Sequence, residues 1–182
     1  MTIDRKFCRF ANSPNVAPIS INQIPEEGFC LSSFVILRSR ANPSAVLLGH
    51  MDPAAAWDHI GAMDRERVES HRKGWMIPSS HLIFGEAPAA AARRVLSEQL
   101  GLAEIPLRGP QVISEVWGPG RASGQGGHWD IEFLFDGEID EAKVGHVPAW
   151  TELKFVDTRT LRPAEFARSH GDVLVSAGFR LA

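Results

Sequence analysis

The stretch 80–102 contains side chains that could act together on a metal ion. Because residues three and four apart are neighbours on a helix, Val95, Glu98 and Gln99 would share one face. Arg94 would stand beside Glu98 by the same rule. Carboxylate and amide oxygens are ligands that suit a hard divalent cation such as Mg²⁺. The stretch therefore predicts a metal-binding helix with few ligands of its own.

The same stretch predicts a loop followed by a helix. Gly85 and Glu86 close the loop, Pro88 suits the first helical turn, and an alanine-rich run follows. Gly101 is a natural C-terminal stop. We expect a helix of about three turns between the proline and the glycine.

These residues resemble the box of the Nudix family, in which a loop and a helix hold divalent metal against a pyrophosphate. The positions that match are Glu86, Arg94, Leu96, Glu98, Gly101 and Leu102. Ser80 stands in place of a glycine, and Val95 and Gln99 stand in place of glutamates. In the family, the arginine and the first glutamate latch the loop to the helix, and other glutamates bind metal. The resemblance implies a complete latch with Glu98 as the one metal carboxylate of the helix.

Further ligands would have to come from elsewhere in the chain. The catalytic group that the resemblance implies is Glu98, Glu86 and Arg94. Gln99 would offer the metal a neutral oxygen. Asp130 and Glu132 alternate along one strand, so both could point at the box helix and supply carboxylates, or lie on a solvated strand face instead. The metal would be Mg²⁺ or Mn²⁺, weakly bound or supplied with the substrate.

Three residues are candidates for binding the substrate. His81 lies in the box loop, and its alternative role is that of a hydrogen-bonded structural imidazole. Arg121 lies in the glycine-rich stretch 118–127, which would either wrap a phosphate or serve as an ordinary hairpin connection. Trp117 precedes that stretch and would either stack on a nucleoside or belong to the core.

The order of elements predicts an α/β fold. The expected strands are 29–38, 45–48, 111–117 and 129–135, and the expected C-terminal helix covers 163–169 with 173–177. This order and the family resemblance both imply a Nudix-like α/β/α sandwich with a mixed β-sheet.

Composition sets the outer bounds. A chain of 182 residues with 44% hydrophobic residues is long enough for one well-buried core, so we expect a single Nudix-like domain over 1–182. It would carry an N-terminal extension, about 1–27, and an insertion before the box, about 50–73. The net charge of -3 does not indicate a positively charged surface for nucleic acid, and no apolar stretch of the sequence reaches the length of a membrane span. A cytoplasmic protein is the default expectation.

Two functions follow from the resemblance and the substitutions in the box. The first is a Nudix-type hydrolase that cleaves a pyrophosphate bond in a nucleoside diphosphate linked to another moiety, with activity impaired by Val95 and Gln99. The alternative is a non-catalytic Nudix-fold protein that binds a nucleotide or acts in regulation. In both cases the partner is a small nucleotide-type molecule. The oligomeric state is open, and a homodimer is one of the states allowed.

Overall fold

The computed structural model describes residues 29–61, 63–102, 104–117 and 128–182. The strands are β1 (Phe29–Ser39), β2 (Ala45–Met51), β3 (Ser79–His81), β4 (Arg108–Trp117), β5 (His128–Ile139) and β6 (Trp150–Asp157). The helices are α1 (Trp57–Ile60), α2 (Arg65–His71), α3 (Pro88–Leu100) and α4 (His170–Ser176). Short 3-10 turns occur at Glu141–Lys143, Thr158–Thr160 and Pro163–Glu165.

The strands form one mixed sheet in the order β4-β5-β1-β2-β6, and β3 pairs with β1 beside this path. β1 and β5 run parallel, whereas the other pairs are antiparallel. Helix α3 packs on one face of the sheet and α4 on the other. The predicted α/β/α sandwich with a mixed sheet is therefore confirmed.

Strand β1 is buried on both faces over 33–37, which explains the continuous apolar run 34–37. Phe34 and Ile36 join the core under α4. Val35 and Leu37 join the core under α3. Since successive side chains alternate between the two faces of a sheet, even-numbered residues of β1 face α4 and odd-numbered ones face α3.

The box helix begins and ends where the sequence predicts. Pro88 occupies the first turn, and Gly101 caps the C-terminus with a left-handed φ of 62°. The N–H of Leu102 donates to the carbonyl oxygen of Leu96, as expected for such a cap. Ala91 and Ala92 are fully buried, so small side chains form the N-terminal half of the buried side of α3, and larger ones such as Leu96 and Leu100 follow.

The C-terminal segment differs from the predicted helix over 163–169. The N–H of Ala167 donates to the carbonyl oxygen of Trp75, which makes this part an extended neighbour of the chain before β3. Arg168 and Ser169 then have φ values of 52° and 59°. Two residues in the left-handed region cannot continue a helix, so α4 starts only at His170.

The segment between β2 and β3 adds a third apolar cluster to the fold. Trp57, Met63 and Val68 pack there with Trp150 of β6. The rings of Trp57 and Trp150 are nearly perpendicular, with a centroid distance of 5.0 Å. Among the helices described, none is long and apolar enough to cross a membrane. The division into extension, domain and insertion stays a prediction.

His170 ties α4 to the chain before β3. The side chain is buried, and its Nδ1 accepts a hydrogen bond of 2.9 Å from the N–H of Ile77. Burial, together with the positive charge of Arg168, lowers the pKa of His170 well below its usual value. The folded protein therefore contains the neutral imidazole. A proton on Nδ1 would prevent that nitrogen from accepting the bond.

We predict that His170→Gln flattens the dependence of stability on pH. An unfolded histidine titrates near about pH 6.5, so below that value the unfolded wild type binds a proton that the folded state does not. The wild type should lose up to about 1.4 kcal/mol of unfolding free energy per pH unit through this one group. Thermal unfolding from about pH 8 to about pH 5 measures the effect. The exposed control His59→Gln should follow the wild type, and parallel curves for His170→Gln would contradict the assignment.

Candidate functional site

A bidentate ion pair joins Glu86 of the box loop to Arg94 of α3. Arg94 Nε donates to Glu86 Oε1 and Nη2 donates to Oε2, both at 2.9 Å. Arg94 also donates to the Ser80 hydroxyl and the His81 carbonyl oxygen, and Glu86 accepts from the N–H of Ile83. The pairing holds the pKa of Glu86 below its usual value. The latch that the resemblance implies is therefore formed, with each side chain 14% exposed.

Glu98 is the box carboxylate that faces solvent. Its side chain is 33% exposed, and Oε2 lies 3.8 Å from Nη1 of Arg94. Val95 and Gln99 are buried instead, and Val95 packs against Leu47 in the core under α3. The expectation that Val95, Glu98 and Gln99 project together towards a ligand is wrong. Val95 and Gln99 lie on the side of α3 that faces the sheet, and Glu98 does not.

Backbone groups take up the whole Gln99 amide. Oε1 accepts from the N–H of Ser79 at 3.2 Å, and Nε2 donates to the carbonyl oxygens of Ser79 and Ile60 at 2.7 and 2.9 Å. The carbonyl oxygen of Gln99 accepts a bond of 2.7 Å from Trp150 Nε1. The structure thus corrects the role expected of Gln99. Its side-chain oxygen is bonded to β3 and shielded from solvent, so it does not face a metal ion.

Asp130 and Glu132 lie on the face of the sheet opposite the box helix. Phe135 of β5 packs in the core under α3, whereas Leu134 packs in the core under α4. The register with β1 runs unbroken along β5, so the even-numbered Asp130 and Glu132 face the same side as Leu134. The charge of Asp172 in α4 also raises the pKa of Glu132. The expectation that both carboxylates point at the box helix is therefore wrong.

These two residues belong to a polar patch on the α4 face, which we call the polar cleft. It consists of seven half-buried residues: Cys30, Ser32, His81, Glu115, Asp130, Glu132 and Arg168. In the sheet, Ser32 stands opposite Glu132 on one side and His81 on the other. The next rung along pairs Asp130 with Cys30 and Glu115. Beyond Ser32 along β1, the same face becomes the apolar core.

Burial perturbs two titratable groups of the polar cleft. It lowers the pKa of His81 to about 4, with the charges of Arg168 and Arg67 adding to the effect. His81 is therefore neutral near pH 7, and its Nδ1 lies 3.0 Å from the Ser32 hydroxyl. Burial raises the pKa of Glu132 to about 7, helped by the charges of Asp130 and Glu115. Near neutral pH, Glu132 can serve as a hydrogen-bond donor or as an acceptor.

Arg168 is the part of the cleft that the sequence analysis missed. It lies in the segment predicted as helix, and its Nη1 donates to Met63 Sδ at 3.2 Å. Burial and the charge of Arg67 lower its pKa to about 10, so it stays positively charged near pH 7. One available signal was the presence of Cys30 and Ser32 at alternating positions in an otherwise apolar strand. No signal in the sequence places Arg168 opposite them.

Two predicted substrate-binding residues lie outside what the structure describes. Arg121 is not among the described residues, and of Trp117 only the backbone, at the end of β4, is described. Their proposed contacts with phosphate and nucleoside stay predictions. His81 is placed at the end of β3, beside the latch through its carbonyl oxygen and in the polar cleft through its ring.

Comparison with known proteins identifies the fold. No protein-family model and no curated protein matches the chain. A solved mutT/nudix family protein from Listeria innocua is 22% identical, covering 82% of this chain and 91% of that one with a TM-score of 0.55. The MutT protein from Methanosarcina mazei Go1 is 14% identical, covering 84% and 97% with a TM-score of 0.53. This chain has the Nudix fold. A NUDIX domain of Shewanella oneidensis NrtR, solved in complex with ADP ribose, is 11% identical, covering 81% and 85% with a TM-score of 0.52.

The Nudix fold raises the question of whether these residues fit a divalent metal ion. The box helix offers one carboxylate, that of Glu98, and the Gln99 oxygen is bonded elsewhere. The carboxylates of Asp130 and Glu132 lie across the sheet from it. Among the residues described, no three His, Cys, Asp or Glu side chains are grouped so that they could hold one ion. The donor set does not fit the metal that the fold implies.

The buried amide of Gln99 predicts a large effect for a substitution that keeps its size. Gln99→Glu replaces two N–H donors by an oxygen that faces the carbonyl groups of Ser79 and Ile60. We expect a loss of about 3 kcal/mol in the free energy of unfolding. Urea denaturation measures it, with Glu98→Gln on the exposed neighbour as the control that should change little. Equal stability of both variants would show that Gln99 is not confined as described.

The latch predicts a local effect on the box loop. Glu86→Gln weakens the bidentate bond to Arg94 and the bond from the Ile83 N–H. Hydrogen exchange at the Ile83 amide should become about tenfold faster, because that amide then opens at a lower free-energy cost. The control is Glu165→Gln, in an exposed capping pair away from the box. Unchanged exchange at Ile83 would mean that the loop is held by other contacts.

Proposed function

We propose that this chain is a non-catalytic Nudix-fold protein that binds a nucleotide-type small molecule without hydrolysing it. One observation carries the proposal: Gln99, at a metal-ligand position of the Nudix box, is fully buried and bonded to backbone groups through its whole amide. A carboxylate at this position would meet carbonyl oxygens before it met a metal ion. The position has become part of the core.

The energetics of Nudix-type hydrolysis support the same conclusion. Hydrolysis of a pyrophosphate depends on charge stabilisation by a metal that is held in place before the reaction. Removing one such preorganised contact typically costs about 10²- to 10³-fold in rate. Here Val95 and Gln99 both lie in the core, so two ligands are missing from the helix. Glu98 is then the one metal carboxylate of the helix, at the lower end of the one or two carboxylates that Mg²⁺ usually binds beside substrate phosphates.

The binding part of the proposal is supported by the fold and by the polar cleft. The NUDIX domain of NrtR shares the fold and is described as complexed with ADP ribose. The polar cleft offers a charged arginine, a neutral imidazole and carboxylates that are half-buried, as in sites that hold a small polar ligand. Nucleotide recognition needs no metal if such groups contact the base or the sugar.

Hydrolysis is the second candidate, and the position of Glu98 favours it. The carboxylate is exposed and lies next to the latch, where a metal brought in by a substrate would find it. Mg²⁺ often keeps several waters and binds one or two carboxylates together with substrate phosphates. Under this alternative, activity would depend wholly on Glu98.

We predict ligand binding that needs no metal and no Glu98. Thermal unfolding with ADP-ribose, nucleotide sugars, dinucleoside polyphosphates and nucleoside triphosphates should show a rise in Tm for at least one ligand, equal in EDTA and in Mg²⁺ or Mn²⁺. Phosphate release through a coupled phosphatase should stay at background. Glu98→Ala and the exposed control Glu104→Ala should both bind as the wild type does.

Two results would overturn the proposal. Turnover that disappears in Glu98→Ala and persists in Glu104→Ala would establish a hydrolase with a single box carboxylate. If none of these ligands raises the Tm of a protein shown to be folded, the chain does not bind nucleotides of these classes and the proposed function is wrong.

A further inference from the structure

Four of the five large apolar side chains that stay exposed among the described residues lie in or beside the α3 face of the sheet. They are Leu31, Ile83, Phe84 and Val112. The fifth, Val175, belongs to α4 on the other side of the sheet. Single exposed apolar side chains are normal on a protein surface, whereas several of them on one surface mark a contact site.

The part of the α3 face that α3 leaves uncovered carries no charged side chain among those described. We call it the open face, and it consists of Leu31, Val112, Ser114, Trp129, Ile131 and Phe133. The register shows its orientation: Val112 pairs with Phe133, which packs towards α3, whereas Ile113 packs in the core under α4. A solvated sheet face is normally polar, so the composition of this one is that of a surface to be covered.

The open face has little to offer a polar ligand. The Ser114 hydroxyl accepts a bond of 2.8 Å from Trp129 Nε1. The hydroxyl of Ser33, at the border with α3, donates to the carbonyl oxygen of Pro88 at 3.0 Å. A small polar molecule needs a few well-placed polar groups to fix its orientation, whereas the core of a protein–protein interface is mainly apolar. The open face therefore suits a protein surface better than a nucleotide.

The box loop presents Phe84 beside the open face. The loop starts next to Leu31, whose carbonyl oxygen accepts from the N–H of Leu82, and it ends at Pro88, which is bonded to Ser33. The latch fixes the loop between these points. Phe84 is fully exposed, although its backbone is held in place. An aromatic side chain on a fixed loop costs little ordering on contact, and such side chains often anchor interfaces.

We propose that the open face and the tip of the box loop, Ile83 and Phe84, form the interface of a homodimer. The tip and the face lie side by side on one copy, so a two-fold axis sets the tip of each copy against the open face of the other. A charged surface would oppose like charges when it met its own copy, whereas this uncharged face does not.

The size of the surface agrees with this partner. A stable interface buries about 800 Å² on each partner. A fully exposed phenylalanine such as Phe84 supplies about 150–250 Å² of that area. With Ile83 and the six residues of the open face, each copy approaches the area that a dimer needs.

Sedimentation velocity over protein concentrations from about 1 to about 100 µM tests the inference. The wild type should change from monomer to dimer within this range. Phe84→Ser removes the aromatic anchor and Val112→Lys places a charge in an apolar interface, so each should raise the dimer dissociation constant about tenfold or more. The matched control is Val175→Lys, because Val175 on α4 is 53% exposed and Val112 is 54% exposed. The control should dimerise as the wild type does.

Thermal unfolding separates a lost interface from a damaged fold. Because Phe84 is fully exposed, the Tm of Phe84→Ser should equal that of the wild type at concentrations where both are monomers. The wild-type Tm should rise with protein concentration, and that of the variant should rise much less.

Three results would overturn the inference. The wild type could stay monomeric at about 100 µM. A dimer could form that both Phe84→Ser and Val112→Lys leave intact, which would place the interface elsewhere. Val175→Lys could dissociate the dimer as strongly as Val112→Lys, which would show that association is not specific to the open face. The test contains no nucleotide, so a monomer that binds nucleotides would leave the proposed function standing.

Discussion

The side-chain amide of Gln99 holds together the elements around the box. Its three hydrogen bonds join the last turn of α3 to both backbone groups of Ser79 and to the end of α1. The bond from Trp150 to its carbonyl oxygen adds β6. The bonds to Ser79 and from Trp150 are buried and the bond to Ile60 is partly buried. In such surroundings a satisfied polar network fixes one arrangement, and a half-satisfied one is costly. The path of the chain into the box loop therefore depends on a residue at a metal-ligand position of the Nudix box.

The sheet then separates the carboxyl groups near the box from those of the polar cleft, and His81 lies between the two sets. The latch and Glu98 lie with α3 on one side. The polar cleft lies on the α4 side, because its residues in β1 and β5 have even numbers, as Phe34 and Leu134 do. A metal site built from both sets would require atoms on opposite faces of one sheet. This geometry, together with the buried Gln99, supports the proposal of ligand binding without hydrolysis.

Local patterns predicted the elements well because their causes are local. Pro88 and Gly101 mark the ends of α3, since one suits the first turn and the other adopts a left-handed φ. The apolar run of β1 predicted a buried strand for the same kind of reason. The sequence does not say which face of β5 meets α3, because alternation gives two faces without naming their neighbours. That missing step produced the wrong orientation for Asp130 and Glu132.

The contacts of Gln99 and Arg168 depend on residues far along the chain. Gln99 meets Ile60 and Trp150, and Arg168 meets Met63. The sequence alone predicts a neutral metal ligand at Gln99 and places Arg168 within an expected helix over 163–169. The folded chain shows that the Gln99 amide is satisfied in the core, whereas Arg168 Nε has no hydrogen-bond partner among the described residues.

The ion pair between Glu86 and Arg94 has a structural role, so its presence is not evidence for catalysis. In a Nudix box, finding Glu86, Arg94 and Glu98 together suggests an active hydrolase. Here Arg94 bonds to Glu86, to the Ser80 hydroxyl and to the His81 carbonyl oxygen, so the ion pair shapes the loop and the end of β3. Since His81 also contributes its ring to the polar cleft, a protein that only binds its ligand needs this latch as much as an enzyme does. Glu98 is the member of the trio with the exposed carboxylate, and its long ion pair with Arg94 leaves that carboxylate open to solvent.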